Sequence, residues 1–197
     1  MRSRWHVSLV AALAVLVIGV GGALAYGGGP NGSGGKQKRA GGKKGQVNKL
    51  RPSRLSEVAY LTGQAEIDPV DGQPDAGDPD AKGSANLLFI DESTLCYGFM
   101  LKGADAPTKV HIHKGVAGQN GPIVLEFANV PKDDSGAPSG NPGTSSGCKT
   151  AATPEEQAAI TRIRRNPAGY YVNMHTGPFP DGAVRGQLAP VFYNNGS

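Results

Sequence analysis

The sequence predicts a mainly β domain, an antiparallel β-sandwich of immunoglobulin-like or superoxide-dismutase-like type, with one short α-helix near residues 154–165. Three observations carry that prediction. Seven short runs rich in β-branched, aliphatic and aromatic residues alternate with Gly, Pro, Asn and Asp clusters, the rhythm of strands and turns. A single segment has both helix start and helix stop signals. No glycine-rich phosphate loop, no βαβ alternation and no internal repeat is visible in the sequence.

The elements follow in order. Glu57 to Glu66 (EVAYLTGQAE) is the first expected strand, and the folded domain is expected to span 55–197. Asp68 to Lys82, dense in Asp, Pro and Gly, is a turn-rich loop. Ser84 to Asp91 and Thr94 to Leu101 form a hairpin joined at Glu92-Ser93. Lys109 to His113, Ile123 to Phe127, Tyr170 to His175 and Ala183 to Leu188 complete the set. Pro131 to Gly147, rich in Ser, Gly and Pro, is expected to be a mobile insertion. In the helix, Thr153 is the N-cap, Pro154 takes N1 and Glu156 sits at N3, a capping box. Arg162, Arg164 and Arg165 suit the negative end of its dipole, and Asn166-Pro167 stops it.

Ahead of the domain the composition changes. The chain has 197 residues with 20 Lys+Arg against 16 Asp+Glu. Residues 1–25 hold two bases and no acid, residues 26–54 eight bases and no acid, which leaves ten bases against sixteen acids in 55–197. The body is therefore acidic, which argues against nucleic acid as a partner. Arg2 and Arg4, the apolar run Val7 to Val20 and the small residues of Ala23-Leu24-Ala25 form an export-signal pattern over 1–25, with cleavage expected after Ala25. The rival expectation is a retained membrane anchor. Residues 26–54 are Gly-rich and basic, too poor in apolar residues to fold, and read as a disordered linker. It serves either as a solvated spacer or, through residues 36–54, as a weak contact with an anionic surface. The expected location is secreted or envelope-associated, outside the cytoplasmic membrane. There an even pair of cysteines, Cys96 and Cys148, forms one disulfide by default; two free thiols or a bridge to another chain are the alternatives.

Candidate chemistry centres on histidine. His111-Ile112-His113 puts both imidazoles on one face of a strand, with Val110 and Ile112 on the other. By the same alternation Asn173 and His175 share a face of their strand, as do Arg185 and Gln187 of theirs. If these strands share a sheet, the six residues form one polar patch. His111, His113 and His175 then make a three-histidine ligand set for copper or zinc. The competing expectation is an ordinary solvent face of a half-covered sheet. Other chemistry lacks residues. No G-x-S-x-G elbow occurs, the Asp68 to Asp80 run lacks the spacing of a calcium loop, and Glu155-Glu156 is explained by the helix N-terminus.

The blocks LCYGFMLKG, KVHIHKGVAGQNGPIVLEF, SGCKTA and NPAGYYVNMHTGPFPDGAVRGQL, in that order, resemble the CHRD domain, named after chordin. The resemblance covers roughly residues 57–191 and implies an extracellular β-sandwich. In chordin such domains occur in a secreted antagonist of growth-factor signalling; small bacterial members with a signal peptide are similar to this chain. The resemblance implies that the motif residues are His111, His113, Gly115, Asn173, His175, Gly182, Arg185, Gly186 and Gln187. The growth-factor partner does not carry over, because no epitope matches residue by residue. Copper/zinc superoxide dismutase and cupin chemistry both need ligands this chain lacks.

Two functions follow as expectations. The first is an exported binding or structural module, not an enzyme, that contacts an extracellular or envelope protein or polymer. The second is a copper- or zinc-binding protein built on the three histidines.

Overall fold

The computed structural model describes residues 51–193; the expected export signal and most of the expected linker lie outside the described residues. Among the described residues nine strands form: β1 (Arg51–Thr62), β2 (Lys82–Phe89), β3 (Thr94–Lys102), β4 (Pro107–Lys114), β5 (Ile123–Phe127), β6 (Gly143–Thr150), β7 (Tyr170–Thr176), β8 (Val184–Gln187) and β9 (Ala189–Tyr193). One α-helix, α1 (Pro154–Arg165), lies between β6 and β7. The class is the expected one: mainly β, antiparallel, with a single short helix.

All strands belong to one sheet, in the order β5-β4-β7-β8-β1-β2-β3-β6, with β9 pairing β1. Strand twist curls a sheet of this width on itself. Its two edges meet through an aromatic cluster and one bridge. Tyr97 and Phe99 of β3 lie 4.6 and 5.0 Å, centroid to centroid, from Phe127 of β5. Lys132, just beyond β5, bridges Thr144 of β6. The result is a sandwich-like, nearly closed barrel.

Alternation fills its interior. Leu95, Tyr97, Phe99 and Leu101 of β3 are buried, as are Ala85, Leu87 and Phe89 of β2. Val110 and Ile112, Leu125 and Phe127, and Val172 and Met174 complete the same core from β4, β5 and β7. Helix α1 adds Ala159, Ile160 and Ile163 to it. The N-cap is as expected: the Thr153 hydroxyl accepts from the Glu156 backbone N–H at 3.2 Å. The Glu156 carboxylate reaches one residue further back than in a capping box, accepting from the Ala152 N–H at 2.7 Å.

Four elements depart from expectation. β1 begins at Arg51, inside the expected 26–54 linker, and ends at Thr62 rather than Glu66, because its first residues pair with β9. The β2–β3 hairpin is longer than Glu92-Ser93, because Phe89 pairs with Leu95 and Asp91 organises the turn, its Oδ1 accepting from the N–H groups of Ser93 and Thr94. The 131–147 insertion is not wholly loop: its last part opens β6, which pairs with β3 from Leu101↔Gly143 to Thr94↔Thr150. β6 reads GTSSGCKT, with no apolar face, so its strand character comes from its partner and not from its own pattern. Strand β9 also goes unforeseen in the sequence. Cys96 and Cys148 face each other across the β3–β6 ladder and are joined in a disulfide.

Candidate metal centre

The polar patch assembles as alternation requires. β4 and β7 pair His111 with Asn173 and His113 with Tyr171; β7 and β8 pair Asn173 with Arg185 and Tyr171 with Gln187. His175 lies diagonally from His111, one pleat along β7. The face is not a solvated one, however. Its residues are covered: His111 is 3 % exposed, Asn173 2 %, Arg185 5 % and His175 8 %. Every residue of β7 is buried, on both faces. The cover comes from three loops, at 63–81, 115–122 and 177–183.

Arg185 holds two of these loops down. Its Nε donates to Glu66 Oε2 at 2.8 Å, its Nη1 to the Gln119 carbonyl at 3.2 Å and its Nη2 to Asn120 Oδ1. Its guanidinium also lies 4.4 Å from the centroid of the Tyr171 ring. Burial pushes the Glu66 carboxyl up to about 7, against the opposing pull of Arg185. Gly182, at φ 144°, leaves room for that carboxylate, since a Cβ there would stand 2.7 Å from it. Gly186 lets β8 approach β1, where a Cβ would meet the Tyr60 carbonyl oxygen at 2.1 Å. Gln187 donates its amide to the carbonyls of Gly115, Ala168 and Tyr170. Arg185, Gln187 and the motif glycines thus serve the architecture around the patch. The acids of 68–80 are turn formers: Asp68, Asp71 and Asp78 each accept from a backbone N–H two residues on.

The three histidines converge. One ring nitrogen from each of His111, His113 and His175 lies within 4.8 Å of the others. His111 Nδ1 stands 3.2 Å from His175 Nε2. Tetrahedral ligands at 2.0–2.1 Å from zinc stand about 3.3 Å apart, so the approach is close to ligand spacing.

The outer nitrogens are each held by an acceptor. His113 Nδ1 lies 2.8 Å from the Gly121 carbonyl oxygen and His175 Nδ1 2.9 Å from the Pro180 carbonyl oxygen. A carbonyl only accepts, so both Nδ1 atoms carry the proton and both Nε2 atoms carry the lone pair. His111 Nε2 faces the exposed Glu126 carboxylate, 3.5 Å from its Oε1. The Nε2 lone pairs of His113 and His175 therefore turn inward. His175 Nε2 accepts a hydrogen bond from His111 Nδ1 at 3.2 Å, and a cation bound in place of that proton would turn a third lone pair inward. His113 Nε2 is buried with no hydrogen-bond partner.

Electrostatics favour the neutral form of His113 and His175. Burial lowers the His113 imidazole to about 4, and the neighbouring His111, His175 and Arg185 charges push the same way. Burial likewise lowers His175. A neutral imidazole with its other nitrogen fixed by an acceptor is what a metal ligand requires.

The structure brings the expected His111, His113 and His175 together with Asn173 beside them, while Arg185 and Gln187 bond to the surrounding loops. Two carboxylates were missed. Glu126 pairs with His111 across the β4–β5 ladder, visible only once register is known. Glu66 follows β1 in a 3₁₀ turn (Gly63–Ala65) and carries no sequence signal for its role. Tyr171 stacks on His113 at 4.9 Å, with an interplanar angle of 11°.

Residues 58–188 match the model of the CHRD domain. No curated protein matches the chain.

Proposed function

The chain belongs to the CHRD domain family, and from that premise we propose that it is a metal-binding module acting outside the cytoplasmic membrane, with His111, His113 and His175 holding one copper or zinc ion. The family supports a binding or structural module, and the histidine centre supports a metal ion as what is bound. The observation that carries this reading is the convergence of one ring nitrogen from each histidine within 4.8 Å, with His113 and His175 tethered outward to Gly121 and Pro180 so that their lone pairs face inward. Imidazole suits both copper and zinc, and three histidines form a known ligand set for a labile or catalytic ion.

The location is supported by the export pattern of residues 1–25 and by the Cys96–Cys148 disulfide, a bond that persists in oxidising compartments. Among the described residues no helix is long and apolar enough to cross a membrane.

The test is metal content by elemental mass spectrometry. The full chain, purified without a His tag and stripped with chelator, is reconstituted with zinc or copper. One equivalent is expected. His111→Ala, His113→Ala and His175→Ala should each weaken retention sharply, and the triple variant should retain none while keeping the wild-type circular dichroism. Stoichiometric metal in the triple variant contradicts the reading.

A further inference from the structure

Asn173 occupies the middle of the centre without a role in the three-histidine set. The ladders place it directly across from His111 on one side and from Arg185 on the other. It is 2 % exposed, and its Oδ1 is buried without a hydrogen-bond partner. An unsatisfied buried amide oxygen is destabilising, so a donor is called for. The neighbours do not supply one. The His113 and His175 N–H groups point away, to Gly121 and Pro180, and that of His111 is directed at His175 Nε2. The Arg185 guanidinium donates to Glu66, Gln119 and Asn120.

Three protein nitrogens also leave a tetrahedral ion one position short, and a metal-bound water there brings the missing O–H donor. We infer that the fourth position of the histidine centre is open and exchangeable, occupied by a water that donates to Asn173 Oδ1. The centre then takes small monodentate anions in place of that water, which a closed structural site does not. This inference rests on the metal reading above and adds to it the ligand class and a residue that holds the ligand.

The experiment uses the full chain loaded with one equivalent of copper(II), confirmed by elemental analysis, and titrated with azide. An azide-to-copper charge-transfer band should grow to saturation at one azide per copper. Asn173→Leu removes the acceptor that retains the water, so azide should displace it more readily, with a roughly tenfold lower Kd, the equivalent of one charge-assisted hydrogen bond. Asn173→Asp keeps an acceptor and adds a negative charge, so its azide Kd should rise. Both variants should keep one equivalent of copper; this separates a bond to the bound water from a structural role, which would change metal retention instead. One copper bound with no azide band means a closed site and overturns the inference while leaving the metal reading intact. So does an azide Kd unchanged in both variants. A chain that binds no copper overturns both.

Discussion

The two halves of the sheet use the same alternation to opposite ends. In β1, β2 and β3 the inner residues are buried and the outer ones face water: Tyr60 is 66 % exposed and Leu88 46 %. In β7 both faces are buried, and in β4 and β8 the second face is partly covered, with His111 and Arg185 buried while Lys109 stays exposed; that second face is polar. Covering an open outer face with loops would be unremarkable if it were apolar. Covering histidine, asparagine, arginine and glutamate forfeits their hydration, and that loss is offset only where each group finds a partner. Arg185 and Gln187 do find partners. His113 Nε2 and Asn173 Oδ1 do not, and they sit on the one face where three imidazoles converge. The contrast is the reason the proposed metal site is placed in the β4–β7–β8 half.

The largest way to sharpen that contrast is to fill the centre. An ion that binds only the folded chain stabilises it by mass action, about 4 kcal/mol at a free concentration a thousandfold above Kd. Zinc should therefore raise Tm, and hydrogen exchange should slow most in β4 and β7. Protection that rises equally in β2 and β3 and not preferentially in β4 and β7 would speak against a local site.

Removing the clamp comes next. Arg185→Met leaves Glu66 buried without its cation, a loss of about 3–5 kcal/mol in urea unfolding when one partner of a buried pair is removed. A loss below 1 kcal/mol would mean that the loop cover does not depend on Arg185.

The other half contains one buried charge of its own. Glu57, on the inner face of β1, is 1 % exposed, and both its carboxylate oxygens lack partners. Burial raises it from 4.5 to about 7. Below pH 4.5 it is protonated folded and unfolded, and carries no charge penalty. As pH rises towards and through 7, the unfolded chain ionises freely while the folded one resists, so stability falls. Glu57→Gln should match wild type near pH 4 and gain on it up to about 3 kcal/mol by pH 8. A difference independent of pH would show that Glu57 does not titrate in this way.

The smallest effect belongs to the open outer face. Leu88→Ser should shift stability by no more than about 0.5 kcal/mol, as exposed substitutions do. A shift of 2 kcal/mol or more would mean that this face is covered in solution.

Much of this was legible in the sequence because period two does not depend on tertiary context. Val110 and Ile112 in, His111 and His113 out, and Asn173 with His175 all follow from it. The helix was legible through Thr153, Pro154 and Glu156, whose signals are local. Strand β6 was not, because Gly143 to Thr150 has no apolar alternation and takes its strand character from β3. Nor were Glu126 and Glu66, which reach the centre through register and through a loop distant in sequence. The burial of the polar face escaped for the same reason, since the chain that covers it lies in three separate loops.

The most direct measurement is the imidazole 15N spectrum of the full chain with and without one equivalent of zinc. The predicted result is that His111 Nδ1, His113 Nε2 and His175 Nε2 shift on zinc binding while Nδ1 of His113 and His175 stay protonated. Inner nitrogens that do not respond to zinc, or a shift at the outer nitrogens instead, would contradict the account.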